Sequence, residues 1–254
     1  MTQHTSSQLI IEPGVLAIFG AVPKTAAHKH TLIQITLPLG DADMRLTLPN
    51  YDEIQLNGAN IINQAVSHQL IMQAGWVILI EPSCNLGKQL TVKLADKAFI
   101  EIEINKKLDN THNLSELLGL CGLIPSLQTT VPQTTAPLTT VTQSKVDARI
   151  ARLLDKLNHC IGKECVKPQQ WRAADIALEL NLSESRFLHL FKDTMQIPWR
   201  PYLLWRRLIC AVQTLQQGKT ATEAAYIAGF SDSAHLSRAF KKQFGLSLRD
   251  YQKR

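Results

Sequence analysis

Three histidines in the first third of the chain have a type and spacing that could bind a ligand. His28 and His30 flank Lys29 where the chain enters a predicted strand, so both imidazoles should point to one side of it. His68 could supply a third imidazole from another strand. Three neutral imidazoles would suit zinc, iron or nickel. Three interpretations are therefore open: a pocket for an organic effector, a metal site, and histidines that only support the fold.

Two predicted helices in the last third carry polar and cationic side chains along one face, at about 100° per residue. The first carries Ser185, Leu188, His189 and Lys192, and the second carries Ala234, Ser237, Arg238 and Lys241, flanked by His235 and Lys242. Such a helix fits the major groove of DNA, where arginine pairs with guanine and an apolar side chain can contact the thymine methyl group. These faces are candidate base-reading surfaces.

The charge is distributed unevenly along the 254 residues, whose net charge is +6. Residues 144–254 hold 19 basic and 10 acidic residues, a net charge of +9, whereas residues 1–143 hold 8 and 11, a net charge of −3. A polyanionic partner therefore belongs to the C-terminal half.

Several other classes of protein are disfavoured. The start of the chain lacks the features of an export signal, and the most apolar run, WVILI, is far too short to span a membrane, which predicts a cytoplasmic protein without membrane contact. The five cysteines match no common zinc pattern. No nucleophile–base pair, P-loop or dinucleotide loop is recognisable, so the sequence predicts neither an enzyme nor a cofactor.

The patterns divide the chain into a strand-rich and a helical part. Residues 14–104 contain period-2 stretches separated by turn signals, including TLIQITLPL, WVILIEP, QLTVKLA and AFIEIEI, which favours a sandwich or small barrel. LSELLGLC, residues 114–121, predicts a short helix that could serve as a dimer contact or as a lid on the sandwich. A Thr-, Pro- and Gln-rich stretch without charge follows, and beyond Ser144 the pattern is helical.

The helical part contains a repeat. Residues 173–202 align with residues 221–251, so that Asn181 and Gly229 fall at the same place past a helix end, where a positive φ is needed. Ser183 in the first unit, and Ser231 or Asp232 in the second, then cap the next helix. This is the layout of a helix-turn-helix, and it occurs twice. Residues 201–219 predict a connecting helix of about 17 residues, roughly 25 Å long, that could present both units to successive major-groove segments.

The stretch GFSDSAHLSRAFKKQFGLSLRDY closely resembles the signature of AraC-type transcription regulators, and the resemblance extends over residues 145–254. It implies sequence-specific DNA binding through the start and middle of each second helix. The implied contact residues are Ser185, Leu188, His189, Lys192, Ser233, Ala234, His235, Ser237, Arg238 and Lys241. Leu248 stands where the family usually has proline, and Gln196 where the first unit often has glycine, which leaves the geometry of both turns open.

Members of this family often carry a cupin-like sensor at the N-terminus, and the strand-rich part is similar to one. Metal-binding cupins place a glutamate shortly after their His-x-His pair, whereas this chain has Gln34 near that position. That difference favours an effector pocket lined by His28, His30 and His68 over a metal site. The sequence assigns no metal.

The predicted fold class is α+β with two domains: an N-terminal β-sandwich or cupin-like barrel, and an all-α C-terminal domain with two helix-turn-helix units. The predicted boundaries are 1–122 for the sensor, 123–144 for a flexible linker and 145–254 for the DNA-binding domain. The predicted function is transcription regulation, as an activator or a repressor, through double-stranded promoter DNA and a small-molecule effector. RNA polymerase and a second copy of the chain are further candidate partners.

Two other functions fit parts of the sequence. A metal-dependent cupin enzyme fused to a DNA-binding tail would use the histidines for chemistry. A basic architectural protein would coat DNA without choosing a sequence.

Overall fold

The computed structural model describes residues 8–49, 51–104, 113–123, 147–158 and 171–252. Its N-terminal part is an antiparallel sheet of eight strands with two short helices. The elements are β1 (Leu9–Glu12), β2 (Val15–Val22), β3 (Ile33–Pro38), β4 (Met44–Thr47), β5 (Ile54–Leu56), β6 (Ala59–Ile62), β7 (Gln69–Ile80), α1 (Asn85–Leu94), β8 (Phe99–Ile102) and α2 (Leu114–Leu120).

The long strand β7 organises this sheet. Its C-terminal half pairs with β2 on one side and β3 on the other, while its N-terminal half pairs with β4. Gly75 lies at the change of partner with φ +154, and an added Cβ there would meet the backbone of Leu37. The sheet runs β1-β2-β7-β3-β6-β8, with β4 and β5 off this path.

Both faces of the central strands are buried, because alternate side chains enter different cores. Ala17 and Ile78 point into a core shared with α1 and α2, whereas Leu16 and Leu79 pack against the C-terminal helices. The continuous apolar run WVILI, which showed no alternation in the sequence, reflects this two-sided burial.

The prediction of a strand at QLTVKLA is wrong, because its first six residues belong to helix α1 and Ala95 is the C-cap of that helix. Cys84 caps the helix through its sulfur, which accepts from the N–H of Gly87 at 3.3 Å. Leu90 and Leu94 are buried one helical turn apart, at the i, i+4 spacing of a helix face. Apolar and polar residues also alternate in this stretch, as they would in a strand. Only the tertiary packing decides that it forms a helix instead.

The C-terminal part consists of helices. Their bounds are α3 (Ala148–Asn158), α4 (Ala173–Glu179), α5 (Glu184–Met195), α6 (Trp199–Gln216), α7 (Ala221–Ile227), α8 (Ser233–Phe244) and α9 (Leu248–Gln252). The predicted connecting helix is confirmed as α6, which has 18 residues. The predicted linker 123–144 lies outside the described residues except for Leu123. Within the described ranges, no helix combines the length and apolar character needed to cross a bilayer.

A polar contact joins the sheet to α6 inside an otherwise apolar junction. Leu16, Ile18, Leu32 and Leu79 share one buried cluster with the helices. Trp205 of α6 donates its indole N–H to Glu81 at 2.9 Å, and the carboxyl group of Glu81 is buried. Burial raises the pKa of Glu81, although the charge of Arg206 and the bond from Trp205 oppose that rise.

This contact predicts a pH dependence that Glu81→Gln should remove. The folded state holds the proton of Glu81 more tightly than the unfolded chain, so its stabilising effect is complete below the unfolded pKa near 4.5 and is lost as the pH rises through the folded pKa. Between pH 5 and pH 8, the unfolding free energy of the wild type should therefore fall relative to that of the glutamine variant, which keeps an oxygen acceptor for Trp205. Urea unfolding at several pH values measures this difference, and parallel pH profiles would contradict it.

Candidate DNA-binding surface and histidine cluster

The turn of the first helix-turn-helix unit follows α4. Leu182 donates its N–H to the carbonyl of Ala177 at 2.8 Å, and Asn181 has φ 54. This is the 6→1 bond of a Schellman-type helix end, which needs one left-handed residue. Ser183 then caps α5 by accepting from the N–H of Arg186.

The second unit reproduces the same turn after α7. Phe230 donates to the carbonyl of Ala225 at 2.8 Å, and Gly229 has φ 81. The predicted positive φ at both positions is confirmed. Of the two residues considered for the cap, Asp232 has that role, since its carboxylate accepts from the N–H of His235 at 2.6 Å.

The ends of α5 and α8 are also equivalent. Gln196 and Gly245 both take the left-handed conformation, with φ 57 and φ 67, and each donates its N–H to the carbonyl four residues back at 2.8 Å. The glutamine therefore adopts the geometry that glycine takes in the second unit. Leu248, the other departure from the family pattern, is a buried residue that begins α9.

The two second helices, α5 and α8, are anchored by one apolar stripe each. Phe187 and Phe191 of α5, and Leu236 and Phe240 of α8, are buried. Their opposite faces remain accessible. The sequence-predicted contact residues that are exposed are Ser185, His189, Lys192, Ala234, Arg238 and Lys241, and those that are half-buried are Leu188, Ser233, His235 and Ser237. Leu188 also packs against the rim of the helical core.

His235 is oriented by its neighbours at the start of α8. Ser231 donates its hydroxyl to Asp232 at 2.9 Å, and its oxygen lies 3.1 Å from Nδ1 of His235. Because the serine proton is already used, Nδ1 carries a proton and Nε2 of the neutral ring offers a lone pair. Nε2 of His235 is thus left as an acceptor on the half-buried edge of the α8 face.

The three predicted effector residues are brought together. His28 and His68 pair through their backbones in an isolated bridge, and their ring centroids lie 4.3 Å apart. The ring of His30 lies 5.3 Å from that of His68. His30 and His68 are buried, and His28 is 9% exposed. The backbone pairing confirms that His68 faces the His-x-His segment from a separate stretch of chain.

Burial keeps these imidazoles neutral. Desolvation lowers the pKa of His30 to about 4 and that of His68 to about 3, and it also lowers the pKa of His28. Neighbouring imidazoles lower the pKa of His68 further. Each of the three rings should therefore have one unprotonated nitrogen near neutral pH.

The contact between this cluster and α8 was not predicted from the sequence. Ala26 donates its N–H to the carbonyl of Gly245 at 3.1 Å, and a Cβ added to Gly245 would lie 2.5 Å from Nδ1 of His28. No local pattern carries this information, because the two segments are more than 200 residues apart. The one sign of this contact in the sequence is that residue 245 is a glycine, which has no side chain.

Comparisons with known proteins assign the helical part. A family model described as a helix-turn-helix domain matches residues 176–254. The chain is 34% identical over 80 residues to the probable transcriptional regulator LumQ of Photobacterium leiognathi, a match covering 31% of this chain and 32% of LumQ. It is 40% identical over 79 residues to the uncharacterized HTH-type transcriptional regulator YidL of Escherichia coli K12, covering 30% of this chain and 26% of YidL. The matched stretch thus spans about a third or less of these relatives.

The fold of the whole chain is similar to that of ToxT from Vibrio cholerae O395. The two structures align with a TM-score of 0.50 and 13% sequence identity, covering 95% of this chain and 98% of ToxT. At this identity the likeness concerns the fold alone. It agrees with the predicted α+β class, with a cupin-like sheet followed by two helix-turn-helix units.

Proposed function

We propose that this chain, whose residues 176–254 form a helix-turn-helix domain of the AraC type, is a sequence-specific DNA-binding transcription regulator that responds to an effector through its N-terminal part. The observation that carries the proposal is the duplicated pair of helices, α5 and α8. Both helices have an N-cap side chain that accepts from a backbone N–H of the first turn and a left-handed residue at the C-terminal end, and both turn a polar face with exposed cations outward.

The roles follow the predicted division of the chain. Residues 145–254 bind DNA through the ten contact residues named above, residues 1–122 sense the effector, and residues 123–144 connect the two. The names of LumQ and YidL, both transcription regulators, favour regulation over the metal-dependent enzyme. RNA polymerase and a second copy of the chain remain proposed partners.

Nuclease footprinting on genomic fragments selected by the purified protein tests the proposal. Two helices reading successive major-groove segments should protect a discrete site of about 16–20 base pairs. Protection without sequence preference would instead indicate an architectural protein.

Lys192→Ala should weaken binding to all DNA sequences to a similar degree. Lys192 is exposed in the last turn of α5, where a flexible ammonium group suits a phosphate contact. The slope of log K against log salt concentration should become shallower by about 1, because one fewer counterion is released. Salt titrations of DNA binding measure the slope.

The matched control for this prediction is Lys88→Ala, which removes an exposed lysine from α1 in the sheet part. It should leave the slope unchanged. An unchanged slope in Lys192→Ala would show that Lys192 does not contact the DNA backbone.

A further inference from the structure

The three histidines form a concentrated set of metal-ligating atoms. One ring nitrogen from each of His28, His30 and His68 lies within 4.8 Å of the others. Among the described residues, no other three histidine, cysteine or acidic side chains lie close enough together to hold an ion.

The rings are held in the tautomer that metal binding requires. Nδ1 of each histidine lies 3.0–3.1 Å from a backbone carbonyl two residues away. A carbonyl can only accept, so Nδ1 carries the proton and Nε2 keeps its lone pair. Nε2 of His68 is buried and has no hydrogen-bond partner, which is costly unless a ligand occupies the site.

Gln34 supplies a fourth donor atom. Its side-chain amide lies 3.2 Å from Nε2 of His30 and is hydrogen-bonded to it. A cation bound to Nε2 of His30 would replace that hydrogen bond and would have the amide oxygen of Gln34 within reach as a further ligand. The separation is close to that of neighbouring ligands around an ion bound at about 2.1 Å.

The cavity next to His28 is too small for an organic molecule. The cavity between the sheet and α8 has a volume of about 40 Å³. His28, Gln34 and Gln243 line it together with mostly apolar side chains, and His28 is the one histidine of the cluster that reaches it. Organic ligands occupy pockets of about 300–1,000 Å³, whereas one water needs only about 10–15 Å³. Nε2 of Gln243 is also buried without a partner and could donate to a metal-bound water.

We propose that His28, His30 and His68, with Gln34 as a fourth ligand, bind one divalent transition-metal ion, and that this ion is the effector. Three neutral nitrogens and an amide oxygen favour zinc, cobalt or nickel over magnesium or calcium. The site itself stands on the geometry of the cluster, while its regulatory role rests on the proposed DNA-binding function.

The contact with α8 links the site to DNA binding. The ring of His28 packs on the backbone of Gly245, which ends α8, and Ala26 is hydrogen-bonded to the same glycine. Metal–nitrogen bonds of about 2.0–2.1 Å require the three nitrogens to approach to about 3.3 Å. The ring nitrogens lie up to 4.8 Å apart without a metal, so metal binding must move at least one ring. His28 is the histidine that touches α8, so a movement of its ring would reach that helix.

Titration of the full-length protein with cobalt(II) tests the site, because cobalt gives a visible absorption band when nitrogen ligands bind it. The wild type should bind one equivalent. His68→Ala and His28→Ala should each weaken binding by about 100-fold or more, since even the loss of an outer-shell partner costs about 10- to 100-fold. Gln34→Glu should tighten it, and Lys29→Ala, which alters the exposed residue between two ligands, should leave it unchanged.

Two outcomes would overturn the metal site: a wild type that binds no cobalt, and cobalt binding that survives in the His28→Ala/His68→Ala double variant. Thermal unfolding without metal checks that each variant is folded. If His68→Ala does not fold, His28→Ala replaces it in the test, because position 28 is less buried. As an independent measurement, cobalt should raise the unfolding temperature of the wild type.

The regulatory role is tested separately by measuring affinity for the footprinted site with and without zinc. The affinity should change by about 5- to 150-fold in the wild type, the range of typical allosteric coupling, and should not change in the double variant. Equal affinities would overturn the effector role alone. Metal binding without any discrete DNA site would instead overturn the proposed function and leave the metal site standing.

Discussion

Arg238→Ala should weaken binding to the cognate DNA site by about 1–3 kcal/mol and relax the preference for one base pair. Arg238 is exposed in the middle of α8, on the face opposite the buried Leu236 and Phe240. From that position a guanidinium group can make a bidentate contact with O6 and N7 of guanine. Competition binding assays on a set of single-base operator variants measure both effects.

Arg238→Lys is the matched control for the chemistry of this contact. Lysine keeps the charge but not the planar fork, so the salt dependence should be retained while the base preference is still relaxed. If Arg238→Ala lowers affinity equally on specific and random DNA, Arg238 contacts only phosphate, and the assignment of α8 as a base-reading helix loses its main residue.

Gly245→Ala should lower the free energy of unfolding by about 2–5 kcal/mol. A non-glycine residue at φ +67 costs about 1–2 kcal/mol, and crowding of the new methyl group adds about 1–3 kcal/mol. The crowding arises because the added Cβ would lie 2.8 Å from Cβ of Thr25, in addition to its approach to His28. Chemical denaturation followed by tryptophan fluorescence measures the change.

Gly218→Ala separates the two contributions. Gly218 also has a positive φ, +80, but an added Cβ there would meet no atom within 4 Å. This variant should therefore lose only about 1–2 kcal/mol. Equal losses in the two variants would mean that the sheet does not contact the end of α8 in solution.

The helix-turn-helix units were predictable because their signals are local. The caps at Ser183 and Asp232 and the left-handed residues Asn181 and Gly229 each satisfy backbone groups within a few residues along the chain. The outward face of α8 follows from its period alone. Even Gln196, a departure from the family pattern, is in the conformation that its position in the repeat requires.

The errors and omissions concern contacts between distant segments. Residues 89–95 alternate like a strand, yet residues 89–94 form the end of helix α1, because Leu90 and Leu94 can then be buried together against the sheet. The sequence also could not reveal the small cavity beside His28 or the unpaired Nε2 of His68, on which the proposed metal site depends.

The amino-acid sequence by itself determined which helices could read DNA, because helix period, caps and charge are properties of neighbouring residues. Only the tertiary structure decided that His28 lies against Gly245 and that Glu81 is buried beneath Trp205. Such contacts depend on how the sheet and the helices pack together, and that packing is set by the combined burial of many apolar side chains rather than by any one segment.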